Sequence, residues 1–176
     1  ACLVGSEMCI RDRIVRWRQH DIHLPIAVNI SPRNLLQPGF SDLILQLLQR
    51  YDVSGHMLEL EVTEGALMTD IARTISELSR LANAKITISI DDFGTGYSSL
   101  QYLHQLPISL IKIDQSFVRR LPDDKGAVHI VEAAVTLAHK MGMKTIAEGV
   151  EEQSAYKLLA DLGCDIAQGF MISRPL

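Results

Sequence analysis

The sequence predicts an α/β fold of the TIM-barrel type, an incomplete barrel with about six of the eight strands present. Short apolar strands alternate with amphipathic helices, which indicates parallel strands joined by helical crossovers. Every predicted strand ends in a polar residue, and a barrel places such residues around one mouth. A doubly wound sheet would begin with a glycine-rich phosphate loop, but the first predicted strand runs into Asn29-Ile30-Ser31-Pro32. The barrel is therefore favoured.

Each predicted strand is a short apolar segment bounded by polar or turn-forming residues. In chain order the strands are residues 26–30, 57–62, 85–90, 109–113, 144–147 and 164–167. Helices are predicted where apolar residues recur on one helical face. These stripes are Ile71, Ile75, Leu78 and Ala82, then Val128, Val131, Val135 and Ala138, then Ala155, Leu158 and Leu162. Gly142 and Gly163 are predicted C-caps, and Pro107 ends a short helix that follows Ser98.

Composition narrows the functional classes. The chain has 176 residues, of which 47% are hydrophobic and 22% are charged, which is typical of a globular domain with a core. A net charge of -4 argues against duplex nucleic acid as a partner, so an anionic ligand would need local neutralisation by a metal, lysine or arginine. No apolar run approaches the roughly 18 residues of a membrane segment, and we expect a cytoplasmic location.

Residues 1–13 differ from the rest of the chain. They resemble the peptide produced when a sequencing-library adapter is translated in frame, and their apolar positions keep neither a helical nor a strand period. The alternative is a genuine helix start. We expect residues 1–13 to be a non-native segment and residues 14–176 to form one partial domain.

Asp91 and Asp92 end an apolar strand and begin a glycine-rich turn. Adjacent carboxylates repel each other unless a cation, a basic side chain or a proton lies between them. Because the pair lies where the strand gives way to a turn, the two side chains need not point to opposite faces as they would inside a strand. This arrangement predicts a divalent metal site.

Asn29, Glu61 and Asp91 lie at three successive strand ends and offer the oxygen ligands that Mg²⁺ or Mn²⁺ prefers. Each also has a purely structural interpretation. Asn29 could form a turn, Asp91 could begin an Asx turn, and Glu61 with Glu64 could form a capping box. The metal hypothesis is favoured because a barrel brings these positions to one mouth. Asp92 is the candidate ligand of a second metal.

Lys112 lies in a strongly apolar strand, where a buried lysine requires a partner. Its predicted role is to steady phosphate and water, and the alternative is a structural ion pair with Asp114 or Asp92. Glu148 is a candidate metal ligand or general base. Glu151 is predicted to anchor a loop or to begin the next helix.

The polar strand ends form six motifs in a fixed order. They are Val28-Asn29-Ile30-Ser31, Glu61-Val62-Thr63-Glu64, Asp91-Asp92-Phe93-Gly94-Thr95-Gly96, Lys112-Ile113-Asp114, Glu148-Gly149-Val150-Glu151 and Gln168-Gly169-Phe170. Together they resemble the motifs of the EAL-domain cyclic-di-GMP phosphodiesterases, over roughly residues 14 to 176. The resemblance implies a barrel that binds two Mg²⁺ or Mn²⁺ ions and hydrolyses cyclic di-GMP to linear pGpG.

The resemblance also implies a role for each matched residue. Asn29, Glu61 and Asp91 would bind one metal and Asp92 the other. Lys112 would position water, Glu148 would assist the metals or act as a base, and Gln168 would complete the ring. The regulatory element that couples metal binding and homodimer formation to activity would comprise Glu64 and the loop from Asp92 to Ser99, which contains Gly94, Thr95 and Gly96. Glu151 is grouped with this element.

The sequence departs from this family in one respect. The Glu-Ala-Leu segment that names the family, and whose glutamate binds metal, is absent from these 176 residues. We therefore expect a truncated chain that is inactive by itself, and a longer parent that is active and carries cyclase, sensor or receiver domains. The alternative is a catalytically inactive relative that serves as a cyclic-di-GMP receptor or a protein-interaction scaffold. A metal-dependent barrel of the enolase or aldolase type is disfavoured by the Asp91-Asp92 pair.

Overall fold

The computed structural model describes Trp17, His20, Ile22 and residues 24–67, 70–95 and 100–174. The predictions for residues 1–13 and for Gly96 fall outside the described residues. No helix within the described ranges combines the length and the apolar character needed to cross a bilayer.

The described residues form one sheet of six parallel strands that lie side by side in chain order. The strands are β1 (Ile26–Ile30), β2 (Leu58–Thr63), β3 (Thr87–Phe93), β4 (Leu110–Ile113), β5 (Lys144–Glu148) and β6 (Ile166–Gln168). A doubly wound sheet would reverse its strand order at a switch point, and this sheet does not. The sheet curls into an incomplete barrel with helices on its outside, which confirms the predicted fold class.

Eight α-helices lie within the described residues. They are α1 (Pro32–Leu35), α2 (Phe40–Arg50), α3 (Glu64–Leu67), α4 (Ile71–Asn83), α5 (Leu100–Leu103), α6 (Gln115–Val118), α7 (Lys125–Lys140) and α8 (Gln153–Asp161). Gly142 and Gly163 adopt left-handed backbone conformations just after α7 and α8, as predicted for C-caps. The sequence analysis did not identify α2, although Phe40 and Ile44 on one face of this helix are buried.

The core lies between the outer face of the sheet and the helices. Side chains alternate along each strand, so every second residue contacts this core. Leu58, Leu60 and Val62 of β2 are buried there, together with Ile111 and Ile113 of β4. The intervening positions face the inside of the barrel and carry the polar residues of the site.

Strand β3 differs most from its predicted bounds. It was expected to end at Ile90, but it continues through Asp91 and Asp92 to Phe93. The pairing with β4 shows how this happens, because Ile90 lies opposite Ile111 and Phe93 lies opposite Ile113. Two β3 residues therefore lie opposite one β4 residue, which is a β-bulge.

A hydrogen-bonded group at the amino ends of the strands joins α7, β5 and the segment before β6. One Asp165 oxygen accepts hydrogen bonds from His139 Nε2, Thr145 N and Thr145 Oγ1, each at 2.9 Å. Burial raises the pKa of the Asp165 carboxyl, but the hydrogen bonds from His139 and Thr145 outweigh burial and hold this pKa below its usual value.

We expect Asp165→Asn to destabilise the protein by about 1–2 kcal/mol at pH 7, because the amide cannot supply the charge that these donors stabilise. Because the pKa of Asp165 is lower in the folded protein than in the unfolded chain, its ionised carboxylate stabilises the folded state at pH values above the unfolded-state pKa. This stabilisation is lost as the pH falls through the folded-state pKa. The stability of the wild type should therefore decline more steeply than that of the variant below about pH 4. Denaturant unfolding at a series of pH values measures the free energy of unfolding, and Asp123→Asn, at an exposed position, is the control. If the free energies of Asp165→Asn and the wild type changed in parallel with pH, the prediction would be wrong.

Candidate active site

Four neighbouring strands bring the charged residues of the site together at their carboxyl ends. Strand β2 carries Glu61, β3 carries Asp91 and Asp92, β4 carries Lys112 and β5 carries Glu148. In a parallel sheet these ends lie along one edge, so residues far apart in sequence become neighbours.

Lys112 is the centre of the site. Its Nζ lies 2.7 Å from Glu61 Oε1, 2.8 Å from Asp91 Oδ1 and 2.8 Å from Glu148 Oε1. An ammonium group has three hydrogens, so each carboxylate can accept one of them. We call these four residues the Lys112 cluster. The predicted alternative of a structural ion pair named the wrong partners, since the structure pairs Lys112 with these three carboxylates and not with Asp114 or Asp92.

The Lys112 side chain is only 7% exposed. Burial lowers the pKa of the Lys112 ammonium, but hydrogen bonds to Asp91, Glu148 and Glu61 outweigh burial and raise this pKa well above its usual value. Lys112 therefore carries a positive charge at neutral pH.

The bulge in β3 explains how both aspartates serve the site. Asp91 and Asp92 together lie opposite Lys112, and Asp92 has a φ of 54°, in the left-handed region that aspartate tolerates better than most residues. The strict alternation of side chains is broken there, as the sequence analysis required, although by a bulge within the strand and not by the end of the strand.

Asp91, Asp92 and Glu148 could hold a metal ion. Each offers one carboxylate oxygen, and these oxygens all lie within 4.8 Å of one another. Burial, with the negative charges of Asp91, Asp114 and Glu148, raises the pKa of the Asp92 carboxyl. This donor set of oxygen atoms and uncompensated negative charge fits a hard divalent cation such as Mg²⁺ or Mn²⁺.

Asn29 lies on the edge strand β1, directly beside Glu61 in the parallel register, and is exposed. The structure thus places it next to a site residue. The proposed ligand set of Asn29, Glu61 and Asp91 stays a prediction.

Glu64 begins α3 and is only 6% exposed. Neither of its carboxylate oxygens has a hydrogen-bond partner in the described part of the chain. The loop that the sequence analysis linked to Glu64 was predicted from Asp92 to Ser99, but β3 extends to Phe93, and residues 96–99 fall outside the described residues. Gly94 has a φ of 96°, and the Thr95 hydroxyl donates to the Asp92 carbonyl at 2.8 Å.

Beside the Lys112 cluster lies a pocket of about 210 Å³. Glu148, Glu151 and Gln168 line it, so three predicted site residues share this space. Gln168, on β6, lies directly beside Glu148 in the parallel register. Glu151 forms a 2.9 Å ion pair with Arg119, and its role as a loop anchor stays a prediction.

Sequence reasoning assigned no role to Arg119 or Phe170, and it considered Asp114 only as an alternative partner of Lys112. Arg119 and exposed Phe170 line the pocket, and Asp114 adds negative charge beside Asp92. Asp114 and Phe170 belong to two of the six motifs, so the sequence could have identified them as candidates. Arg119 follows α6 outside any motif, and only the tertiary structure brings it to Glu151.

Comparison with known proteins gives a consistent result. A family model described as "EAL domain" matches residues 7–175. Cyclic di-GMP phosphodiesterase NbdA from Pseudomonas aeruginosa is 41% identical over 153 residues, which cover 87% of this chain and 20% of NbdA. Signaling protein YkoW from Bacillus subtilis is 39% identical over 171 residues, which cover 97% of this chain and 21% of YkoW. The chain thus spans about a fifth of the length of these two relatives.

The solved structures agree with the sequence relatives. A structure described as "PaMucR Phosphodiesterase, c-di-GMP complex" superimposes with a TM-score of 0.91 at 37% identity, covering 99% of this chain and 72% of that one. The EAL domain of Mycobacterium smegmatis DcpA superimposes with a TM-score of 0.85 at 37% identity, covering 92% of this chain and 73% of that one. The family match over nearly the whole sequence and the shared fold lead to one conclusion: the chain belongs to the EAL-domain family.

Proposed function

We propose that the protein containing this chain is a phosphodiesterase that hydrolyses cyclic di-GMP to linear pGpG with two divalent metal ions, Mg²⁺ or Mn²⁺. The observation that carries the proposal is the convergence of Glu61, Asp91, Asp92 and Glu148 around Lys112 at one mouth. A receptor that only binds nucleotide does not need such a complete set of carboxylates. The names of the relatives NbdA and MucR support the same activity.

The metal ligands proposed for this reaction are the carboxylates of the site together with Asn29. Asp91, Asp92 and Glu148 are close enough to share one cation, and Asn29 and Glu61 lie beside them on β1 and β2. Bound divalent ions would stabilise negative charge on the phosphate and make a water molecule more acidic. The acidic site can then accept a dianionic nucleotide because the cations reverse the local sign of the charge.

The remaining residues orient the reactants. Lys112 donates its three hydrogen bonds to carboxylates in this structure. Cations bound to those carboxylates would free its N–H groups to orient the attacking water and a phosphate oxygen. Glu148 would accept a proton from that water, and its position in the pocket wall beside Lys112 supports this role. Gln168, at the end of β6, completes the ring with an amide that can hydrogen-bond the nucleotide.

Regulation through Glu64 and the loop from Gly94 is part of the proposal. A buried carboxylate without a protein partner is costly, so Glu64 would be satisfied when backbone N–H groups of that loop approach it. A homodimer, and cyclase, sensor or receiver domains elsewhere in the protein, would supply the signal.

We also propose that the 176-residue chain is inactive by itself. Its support is the open sheet, in which β1 and β6 are edges within the described residues. Within that part of the chain, no strand closes the mouth between β1 and β6.

The test is a turnover assay that separates cyclic di-GMP from pGpG, run in parallel on the longer protein and on the 176-residue chain. We expect pGpG from the longer protein with Mg²⁺ or Mn²⁺ and none after the metal is removed with a chelator, because the carboxylates repel a dianion. The short chain should form no product.

Each result separates the alternatives. Tight binding of cyclic di-GMP by the longer protein without product would favour the receptor, and absence of both binding and turnover would favour the scaffold. Undiminished turnover in chelator would reject the metal-dependent reaction.

A further inference from the structure

We propose that Lys112 is a positioning residue that replaces a metal ion in the metal-free protein, holding the ligand carboxylates in place until metal binds. The inference rests on the proposed function only in that the metal site is the same. It concerns the folded protein before any nucleotide or metal is present.

Lys112 supplies the positive charge that offsets part of the repulsion among the carboxylates of the site. Glu61, Asp91, Asp92 and Glu148 bring four negative charges to one mouth, and among the described residues Lys112 is the one basic residue that forms an ion pair with any of them. The three carboxylates in the Lys112 cluster have side chains only 11%, 14% and 19% exposed, so water screens their repulsion poorly. Without Lys112 these charges would be buried and unpaired.

The geometry of the Lys112 cluster also leaves its carboxylates able to bind a metal. Each carboxylate in the cluster gives one oxygen to Lys112 Nζ, which leaves its second oxygen available. Asp91 and Glu148 belong both to this cluster and to the group that could hold a metal. Lys112 therefore fixes two candidate ligands, from β3 and β5, at the distance where a cation can bind both.

The expected consequence is an exchange of cations. Removing the lysine should lower the stability of the metal-free protein more than that of the metal-bound protein, because repulsion among the carboxylates is then uncompensated. A divalent ion should restore most of the lost stability, since it supplies the missing positive charge. If Lys112 only packed in the core, its removal would lower the stability equally with and without metal.

The test follows thermal unfolding of the full-length protein without nucleotide, in chelator and in Mn²⁺. We expect Lys112→Met to lower the metal-free Tm by about 10 °C. Mn²⁺ should then raise the Tm of this variant by more than it raises that of the wild type. Lys144→Met is the matched control, since Lys144 is exposed at the opposite end of β5, and both of its Tm values should equal those of the wild type.

A second variant keeps the test decisive if Lys112→Met folds poorly. Lys112→Met/Glu61→Gln removes one repelling charge that lies outside the group of Asp91, Asp92 and Glu148. We expect this double variant to regain part of the metal-free Tm lost by Lys112→Met. Equal Mn²⁺ shifts in Lys112→Met and wild type, or no recovery in the double variant, would overturn the inference. Turnover is not measured, so failure here is separate from failure of the proposed reaction.

Discussion

Asp91→Asn should reduce hydrolysis of cyclic di-GMP by at least about 100-fold in the longer protein. Asp91 contacts Lys112 at 2.8 Å and belongs to the group that could hold a metal, so one substitution weakens two functions. Asparagine keeps the size of the side chain and can still contribute an oxygen, but it brings no negative charge. The main loss should be in kcat, and the increase of Tm caused by Mn²⁺ should become smaller.

Asp42→Asn is the matched control for Asp91→Asn. Asp42 lies on α2 and pairs with Arg80 on α4, and both side chains are about half exposed. The same chemical change there should leave turnover unaffected, because a surface ion pair contributes little. Turnover of Asp91→Asn close to that of the wild type, at saturating Mn²⁺, would rule out Asp91 as a required ligand.

The sequence was sufficient for the architecture and for the composition of the site. Strand and helix alternation predicted parallel strands, and the polar ends of those strands predicted one mouth, which β2 to β5 indeed share. These features depend on local periodicity and on the geometry of parallel sheets, both of which are visible in the order of residues.

The arrangement within the site could not be predicted in the same way. The three partners of Lys112 come from β2, β3 and β5, and their meeting depends on the curl of the whole sheet. The bulge at Asp91 and Asp92 depends on the register against β4, for which a single sequence carries no local signal. In α4 the predicted stripe was also partly rotated, because Thr74 and Leu81 are buried while Ile71 and Ile75 are only half-buried.

The bulge and the Lys112 cluster depend on each other. Two aspartates can face one lysine only because β3 has one residue more than β4 between their paired positions. The left-handed conformation of Asp92 and the nearby negative charges are both unfavourable. They persist only where the surrounding structure enforces them. Such a locally unfavourable arrangement is typical of a functional site, where it prepares ligands for binding.

Gly169→Ala should be the most disruptive substitution at the pocket. A Cβ at residue 169 would lie 2.2 Å from the Val150 carbonyl oxygen and 2.3 Å from the Val150 nitrogen. The Val150 N–H donates to the Gln168 carbonyl, and the Val150 carbonyl accepts from the Met171 N–H, both at 3.0 Å. The methyl group would therefore push apart the loop after β5 and the segment after β6.

Two measurements should reveal this displacement. We expect Gly169→Ala to lower the free energy of unfolding by about 2–3 kcal/mol, because the clash is with backbone atoms that cannot rotate away. Turnover should fall by at least about 10-fold even where the variant is folded, because Glu148 and Gln168 flank the displaced segments and a shift of about 1 Å can cost 100-fold.

Gly65→Ala is the control that separates the clash from the loss of a glycine. A Cβ at residue 65, in α3, would meet no atom within 4 Å, and alanine favours a helix by about 1 kcal/mol over glycine. This variant should be as stable as the wild type or slightly more stable, with unchanged turnover. If both alanine variants behaved alike, the close approach at Gly169 would not control the position of Glu148 and Gln168. If only Gly169→Ala lost turnover, the two loops would act as one unit that sets the pocket.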